Sequence, residues 1–212
     1  FGDIIISADE GDPDGKYNAS ESYVVFGKAG EWDASLDLSS LDGLNGFRLD
    51  GVDSEDYSSH ISDAGDINGD GFSDVIVASN NAGYDAGESY VVFGKAAGWA
   101  ADMDLSSLDG SNGFRLDGVY SGNSSSQLPV SSAGDVNGDG YGDIIIGAPF
   151  TKRDEFYSAG ESYIVFGKSS EWGSSLDLSS LNGSNGFRLD GVDRNDLSGG
   201  SVSSGGDVNG DG

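Results

Sequence analysis

Side chains that carry oxygen recur at fixed spacing in three short loops. In each loop they stand at positions 1, 3, 5 and 9, and a glycine at position 6 allows a sharp bend. This alternate placement turns the side chains toward one centre, where the main-chain carbonyl at position 7 can join them. Hard oxygen ligands in this number suit Ca²⁺. The first predicted ligand set comprises Asp66, Asn68, Asp70, the carbonyl of Phe72 and Asp74.

The pattern returns twice along the chain. The second set comprises Asp135, Asn137, Asp139, the carbonyl of Tyr141 and Asp143. The third set is divided, with one part at Asp207, Asn209 and Asp211 and the other at Asp3 and the carbonyl of Phe1. Three copies favour calcium loops over ordinary Asp-Asn-Gly turns that bind nothing. We therefore predict about three Ca²⁺ sites, one of them shared between chains.

An EF-hand is excluded by the residues that follow the loops. That motif needs a bidentate Glu at position 12 and a helix on either side. Here position 12 is Val77 or Ile146, and each lies inside a predicted strand. The loops are therefore expected to join strands.

The loops are part of a longer repeat. Residues 22–28, 46–51 and 66–71 have close copies that begin at 89, 113 and 135, and again at 162, 186 and 207. The copies are 67 to 73 residues apart. Such a period indicates a tandem array. We divide it into repeats 1–66, 67–135 and 136–212; the first starts, and the last ends, inside a loop.

Each repeat holds four short strand candidates separated by turn-forming residues. In the third repeat these are 142–147, 162–167, 186–190 and, more weakly, 201–204. Helix is expected only as a single turn within 176–181. Four strands per repeat are typical of propeller blades. We predict an all-β fold of three tandem four-stranded propeller-type blades, incomplete alone and completed by neighbouring chains or repeats.

The composition excludes several classes of function. Lys plus Arg number 10 against 37 Asp plus Glu, and the net charge is −27. This charge argues against nucleic acid and anionic membrane surfaces as partners. No apolar run approaches the roughly 18 residues of a membrane span, so no membrane insertion is expected. The absence of Cys excludes disulfides, thiolate zinc sites and thiol catalysis.

Together these motifs resemble the FG-GAP repeat of integrin α-subunit propellers and of large secreted bacterial calcium-binding proteins. The resemblance rests on the Asp-rich loops, the Ile-Ile-Ile-Gly-Ala-Pro run that ends at Pro149, and the Tyr-Val-Val-Phe-Gly strands. It implies one four-stranded blade per repeat, Ca²⁺ between two strands, and an extracellular or cell-surface location. Two features depart from the family: residues 6–8 and 77–79 lack the Gly-Ala-Pro form, and three repeats are fewer than the seven blades of an integrin-like ring.

The other periodic side chains have structural interpretations. Each arginine of the Gly-Phe-Arg-Leu-Asp segments precedes an aspartate by two residues, so we expect ion pairs on one strand face. The three tryptophans are expected to pack repeat against repeat rather than to stack on sugars, and His60 is interpreted as a surface-loop residue. These arginines and tryptophans are Arg48, Arg115, Arg188, Trp32, Trp99 and Trp172. No catalytic triad or phosphate loop is found, and we predict no enzyme.

The open faces of the blades lead to the functional hypothesis. Each blade needs neighbours on both sides, and a second chain would complete the divided loop. We predict a non-enzymatic, calcium-stabilised extracellular structural protein that assembles head to tail into a filament or a matrix or adhesin array. The alternative is an integrin-α-like adhesion head that binds a protein or glycan ligand through the unrepeated stretches 10–18, 119–129 and 150–157.

Overall fold

The computed structural model describes residues 1–56, 60–80, 87–118, 128–151 and 158–210. Its strands are β1 (Ile4–Ala8), β2 (Glu21–Val25), β3 (Gly46–Asp50), β4 (His60–Gly65), β5 (Asp74–Ser79), β6 (Glu88–Val92), β7 (Asp102–Asp104), β8 (Gly113–Asp117), β9 (Val130–Gly134), β10 (Asp143–Ala148), β11 (Glu161–Val165), β12 (Ser175–Asp177) and β13 (Gly186–Asp190). Single turns of 3-10 helix span Pro13–Gly15, Leu38–Ser40, Leu105–Ser107 and Leu178–Ser180.

The strands form three sheets. Their orders are β1-β2-β3-β7, β4-β5-β6-β8-β12 and β9-β10-β11-β13. All neighbours are antiparallel except β3 with β7 and β8 with β12, which are parallel. The prediction of an all-β fold built from three blade-sized sheets is confirmed. The single helical turn expected within 176–181 is present at Leu178–Ser180.

The centre of each sheet has the same register. A tyrosine of the middle strand lies opposite the arginine of its neighbour, as in the pair Tyr90 and Arg115. Arg115 Nε donates to Asp117 Oδ1 at 2.6 Å, and its Nη1 lies 3.6 Å from Glu88 Oε1. The other two arginines make the same pairs, Arg48 with Asp50 and Glu21, and Arg188 with Asp190 and Glu161. The predicted ion pairs on one strand face are therefore confirmed.

One strand at the edge of two sheets comes from the following repeat. β7 lies beside β3 of the first sheet, and β12 lies beside β8 of the second. In addition, β4 and β9 precede the Asp-rich loops and pair with β5 and β10, which follow them. Neighbouring repeats are thus joined by exchanged strands as well as by packing.

The core lies between neighbouring sheets. One cluster joins the first two sheets and includes Phe47, Leu49 and Val92, each 1% exposed. A second cluster joins the second and third sheets and includes Phe114 and Ile144, both fully buried. The outward face of each terminal sheet has no such cover within the described ranges, and Ile4 there is 54% exposed.

Two local predictions are wrong. His60 is half-buried and begins β4 rather than lying in a surface loop. Residues 201–204 correspond to β4 and β9 in sequence but form no strand. The physical reason for the second error is pairing: β4 and β9 are held by β5 and β10, whereas no strand of the described chain pairs with residues 201–204.

Asp56 is a buried carboxylate that gives the fold a pH dependence. It is 2% exposed, and its Oδ2 accepts a hydrogen bond from the Asp53 N–H at 2.8 Å. Burial raises the pKa of Asp56 to about 6. This folded-state pKa lies above the unfolded value, so protonated Asp56 stabilises the fold. Its contribution is complete below about pH 4 and is lost as the pH rises through about 6.

The substitution Asp56→Asn tests this dependence, because the asparagine carbonyl still accepts the Asp53 N–H but does not ionise. We expect the variant to raise the free energy of unfolding by about 2 kcal/mol at pH 7.5, and by much less at pH 4. Urea unfolding of both proteins at the two pH values measures the difference. A gain of equal size at both values would contradict the assignment.

Candidate metal-binding loops

The first predicted loop joins β4 to β5. Asp66 accepts hydrogen bonds from two main-chain N–H groups, those of Asp70 at 3.0 Å and Gly71 at 2.9 Å. Asn68 Oδ1 accepts from the same Asp70 N–H at 2.9 Å, and Asn68 Nδ2 donates to Asp70 Oδ2 at 2.9 Å. Gly69 and Gly71 have φ values of 74° and 90°, which L side chains rarely adopt. The loop therefore folds around its own N–H groups.

The second loop, between β9 and β10, repeats this geometry. Asp135 accepts from the N–H groups of Asp139 at 3.0 Å and Gly140 at 2.9 Å. Asn137 Oδ1 accepts from the Asp139 N–H at 3.0 Å, and Asn137 Nδ2 donates to Asp139 Oδ2 at 2.8 Å. The same sequence at positions 1, 3, 5 and 6 thus produces the same conformation twice.

The aspartate at position 9 anchors each loop to the sheet. Asp74 is fully buried at the start of β5; its Oδ2 accepts from the Ile67 N–H at 2.9 Å and its Oδ1 from the Gly94 N–H at 2.8 Å. Burial raises the pKa of Asp74 to about 7, the two N–H groups lower it, and the nearby charges of Asp70 and Asp66 raise it further. The charges of Asp70 and Asp66 therefore act on Asp74 across the loop.

The equivalent aspartates of the other loops make similar contacts. Asp143 is fully buried and accepts from the N–H groups of Val136 at 2.7 Å and Gly167 at 2.9 Å. Burial raises the pKa of Asp143 as well. Asp3 Oδ1 accepts from the Gly27 N–H at 2.8 Å. Sequence reasoning assigned these residues only as metal ligands and missed their role in holding the loop to the end of the next strand.

The two parts of the third ligand set make separate contacts. Asp207 Oδ1 accepts from the Gly210 N–H at 2.7 Å, whereas Asp3 is held at the end of β2 by Gly27. Phe1 is 92% exposed. Asp211 lies outside the described residues. The prediction of a shared third site stays a prediction.

The loops match a calcium site in the kind of donor they offer. Carboxylate, amide and carbonyl oxygens are the ligands that Ca²⁺ takes in proteins. However, across the five described ranges no group of three or more His, Cys, Asp or Glu side chains is arranged to hold a metal ion. Oxygens of Asp66 and Asn68 accept hydrogen bonds from the loop's own N–H groups. In the first loop the ligands that would hold the ion are Asp66, Asn68, Asp70, the Phe72 carbonyl and Asp74.

A cleft lies beside the first loop, between the first and second sheets. Its volume is about 520 Å³, and its walls include Asp3, Asp63, Asp74, Lys95 and Trp99. Charged groups of both signs and apolar side chains such as Phe26 and Val92 therefore line a space large enough for a small ligand.

The predicted packing of tryptophans between repeats is confirmed for two of the three. The Trp99 ring stacks on Phe47 with centroids 4.0 Å apart, and the Trp172 ring stacks on Phe114 at 4.1 Å. Trp32 differs, because it is 46% exposed. Lysines lie over all three rings, with Nζ 4.5 to 4.8 Å from the centroid. Trp99 and Trp172 therefore belong to the junctions between sheets.

Of the unrepeated stretches predicted for ligand binding, residues 10–18 are fully described. Lys16 Nζ in this stretch donates to the Gly51 carbonyl at 3.1 Å and to Asp104 Oδ2 at 3.0 Å. It thereby ties the first repeat to β7. Residues 119–127 and 152–157, which make up most of the other two stretches, lie outside the described residues.

Comparison with known families identifies the repeat. The FG-GAP repeat model matches residues 61–92 and 130–165. Both matches cover the same structural unit, from the strand before the Asp-rich loop to the middle strand of the sheet, β4 to β6 and β9 to β11. Two segments of the chain therefore match the FG-GAP repeat, the family that the motifs resemble; the motifs predicted three such repeats.

One curated relative is an integrin. Integrin alpha-PS5 of Drosophila melanogaster is 38% identical to the chain over 91 residues, which are 41% of the chain and 8% of that protein. The chain thus spans less than a tenth of this relative's length. Separately, no helix among the described residues is long and apolar enough to cross a membrane.

Proposed function

We propose that these FG-GAP repeats make the chain a non-enzymatic, calcium-stabilised extracellular structural protein whose units join head to tail into a filament or a matrix or adhesin array. The observation that carries this proposal is the contrast between internal and terminal sheet faces. Leu49 and Leu116 are each 1% exposed at internal junctions, whereas the corresponding Leu189 of the third sheet is 48% exposed. Exposed apolar faces of this kind mark surfaces that a further unit covers, whether from a neighbouring chain or from a neighbouring repeat.

Calcium is proposed from the chemistry of the loops and from the charge of the chain. Each loop gathers carboxylates without a lysine or arginine among its ligand positions, and the chain carries a net charge of −27. Bound Ca²⁺ would offset the repulsion among Asp66, Asp70 and Asp74. Loops of this composition fill at the millimolar calcium levels found outside cells. An extracellular location and the absence of enzymatic activity follow from the repeat type, and both are parts of the proposal.

Particle size tests the proposed function. We expect sedimentation and electron microscopy to show long particles in millimolar Ca²⁺ that separate, on chelation, into units of 21.7 kDa. The variant Asp66→Ala/Asp135→Ala, which alters position 1 of both internal loops, is expected to respond less to calcium. A small particle of the same size with and without Ca²⁺ would contradict both the metal and the assembly.

An integrin-α-like adhesion head is the second candidate, and the cleft beside the first loop favours it. A protein or glycan ligand would contact Lys95, Asp63 and Trp99, which line the cleft. The variant Lys95→Ala, which lies outside the predicted calcium ligands, separates the two functions. If it abolished binding to an immobilised glycan or matrix-protein panel while assembly persisted, a purely structural role would be excluded.

A further inference from the structure

We propose that the first Asp-rich loop, residues 66–74, positions the calcium ligands of the second loop, residues 135–143, so that the second site has its full affinity only while the first loop is docked against it. The inference rests on the proposed calcium binding and adds what controls that binding at the second site. Both loops lie within the described residues, in neighbouring repeats of one chain.

Two main-chain hydrogen bonds join the first loop to the next repeat. The Gly142 N–H donates to the Asp66 carbonyl at 2.8 Å, and the Lys168 N–H donates to the Ile67 carbonyl at 2.9 Å. Gly142 is position 8 of the second loop, between positions 7 and 9, which carry two of the predicted ligands. The first loop therefore contacts the second at its ligand-bearing end.

The first of these bonds orients a predicted ligand. A peptide unit is planar and trans, so its carbonyl and its N–H point in opposite directions. The Tyr141 carbonyl, the predicted ligand at position 7, belongs to the same peptide unit as the Gly142 N–H. Because the Asp66 carbonyl holds that N–H, it also fixes the direction of the Tyr141 carbonyl. A residue of the first loop thus sets the orientation of a ligand of the second.

The second bond acts on the ligand at position 9. Asp143 Oδ1 accepts the Gly167 N–H at 2.9 Å. Gly167 is followed directly by Lys168, whose N–H is bound by the Ile67 carbonyl. A Cβ on Gly167 would lie 2.9 Å from the Ile67 carbonyl oxygen, so the two main chains are in close contact. The first loop thereby holds the segment that positions Asp143.

The Ile67 side chain keeps the first loop in this place. Ile67 is fully buried and belongs to the cluster between the second and third sheets, together with Ile144 and Trp172. Its N–H donates to Asp74 Oδ2 at 2.9 Å. Ile67 is therefore tied both to the anchoring aspartate of its own loop and to the core of the next junction.

These contacts form a continuous chain of hydrogen-bonded groups between the loops. The chain begins at Asp74 Oδ2, which accepts the Ile67 N–H. The Asp66 carbonyl of the same peptide unit accepts the Gly142 N–H, and the carbonyl of that next unit is the Tyr141 ligand. Aligned peptide groups polarise one another, which makes the carbonyl at the end of such a chain a better partner for a cation.

Two glycines make the close approach of the loops possible. A Cβ on Gly142 would lie 2.9 Å from the Asp66 main-chain nitrogen, and a Cβ on Gly69 would overlap the Tyr141 ring. The first loop itself has Ser73 at the position that Gly142 occupies in the second. Side chains added at these two glycines should therefore separate the loops, and a loop of this chain already carries a side chain at position 8.

The orientation of two ligands matters because the second loop offers few of them. Ca²⁺ takes six to eight oxygen ligands, and the predicted set of the second loop consists of four side chains and one carbonyl. Altering a group that orients a metal ligand typically lowers metal affinity by about 10- to 100-fold. A displaced first loop should therefore weaken the second site measurably.

A calcium titration followed by two-dimensional amide NMR reads the two loops separately. The Gly71 N–H donates to Asp66 Oδ2 at 2.9 Å in the first loop, and the Gly140 N–H donates to Asp135 Oδ2 at 2.9 Å in the second. Each amide signal should shift when Ca²⁺ fills its own loop. The midpoints then give one Kd for each loop in the same sample.

The variant Gly69→Ala is the main test, because it alters the first loop at the Tyr141 ring and replaces no ligand of the second. We expect it to raise the Kd of the second loop by about tenfold. The matched control Gly71→Ala strains the same loop at a similar φ, 90° against 74°, but nothing lies within 4 Å of the added Cβ. Both variants should weaken the first loop, and only Gly69→Ala should weaken the second.

The variant Gly142→Ser tests the same contact from the other side, and it decides the question if Gly69→Ala does not fold. It introduces the residue that the first loop has at position 8. We expect it to raise the Kd of the second loop by about tenfold. Because both variants break one contact, the double variant Gly69→Ala/Gly142→Ser should have little more effect than either alone.

The outcomes separate this inference from the proposed function. If Gly69→Ala shifts only the Gly71 midpoint, or if Gly71→Ala weakens the second loop equally, the positioning role is wrong and the proposed calcium binding stands. Additive effects in the double variant, or an unchanged second loop in Gly142→Ser, would also overturn it. If neither amide of the unaltered chain responds to Ca²⁺, the calcium part of the proposed function fails, and this inference fails with it.

Discussion

Replacing Phe114 with alanine lowers the free energy of unfolding by about 3 to 5 kcal/mol, the cost typical of removing a buried phenylalanine. Phe114 is fully buried, and Trp172 stacks on it at 4.1 Å. The alanine would leave a cavity between the second and third sheets and remove the surface on which Trp172 packs. The junction between these sheets would therefore lose this ring stacking.

Phe187 supplies the matched control, since it has the same sequence context and the same inner contact with a phenylalanine. In the described chain no further sheet packs on Phe187. We therefore expect Phe187→Ala to lower the free energy of unfolding by about 1 to 2 kcal/mol in dilute protein. Phe47→Ala, at the other closed junction, should resemble Phe114→Ala. Urea unfolding followed by circular dichroism, at concentrations where sedimentation shows single units, measures all three. Equal losses for Phe114→Ala and Phe187→Ala would contradict the junction description.

Much of this architecture could be predicted because its motifs recur in the sequence. The Asp-rich loops, the strands around Tyr90 and Tyr163 and the Arg–Asp pairs recur at matching positions, and each depends on residues close in sequence. Local spacing therefore determines them. The same applies to the 3-10 turn after Asp177, where a short polar side chain caps the Ser179 N–H at 2.7 Å.

The strand exchange between repeats could not be predicted in the same way. β7 and β12 have three residues each, too few to show an alternating pattern. Their strand conformation depends on β3 and β8, which lie more than 50 residues earlier in the chain. Residues 201–204 show the converse: they have the sequence of a strand but no neighbour to pair with. In both cases the neighbouring sheet, rather than local propensity, decides the structure.

The anchoring role of the position-9 aspartates could not be predicted from the sequence for a different reason. The spacing predicts a metal ligand at this aspartate. Nothing in the sequence shows that its two oxygens accept hydrogen bonds from main-chain N–H groups. Asp143 contacts Gly167, which is 24 residues away. Only the pairing of β10 with β11 brings these two groups together.

Replacing Asp143 with alanine is expected to lower the free energy of unfolding by about 3 kcal/mol even in the presence of a chelator. The substitution leaves the buried Gly167 N–H and the part-buried Val136 N–H without their acceptor, and a buried group left unpaired costs about 1 to 3 kcal/mol. The removal of a buried charge offsets part of this loss, because burial disfavours the ionised carboxylate. Asp143→Asn keeps one acceptor oxygen and should lower the free energy of unfolding less than Asp143→Ala does.

Asp139 is the control that separates anchoring from metal binding. It lies in the exposed part of the same loop, where its Oδ1 accepts the Tyr141 N–H at 3.0 Å. In chelator we expect Asp139→Ala to cost less than about 1 kcal/mol, since water can replace this exposed contact.

In calcium, Asp139→Ala should also lose the stabilisation that ligand binding adds, about 2.7 kcal/mol at a hundred times Kd. Thermal unfolding with and without Ca²⁺ measures both terms. If Asp139→Ala and Asp143→Ala were equally costly in chelator, the anchoring role would be wrong; if calcium changed neither loss, the loop would not be a calcium site.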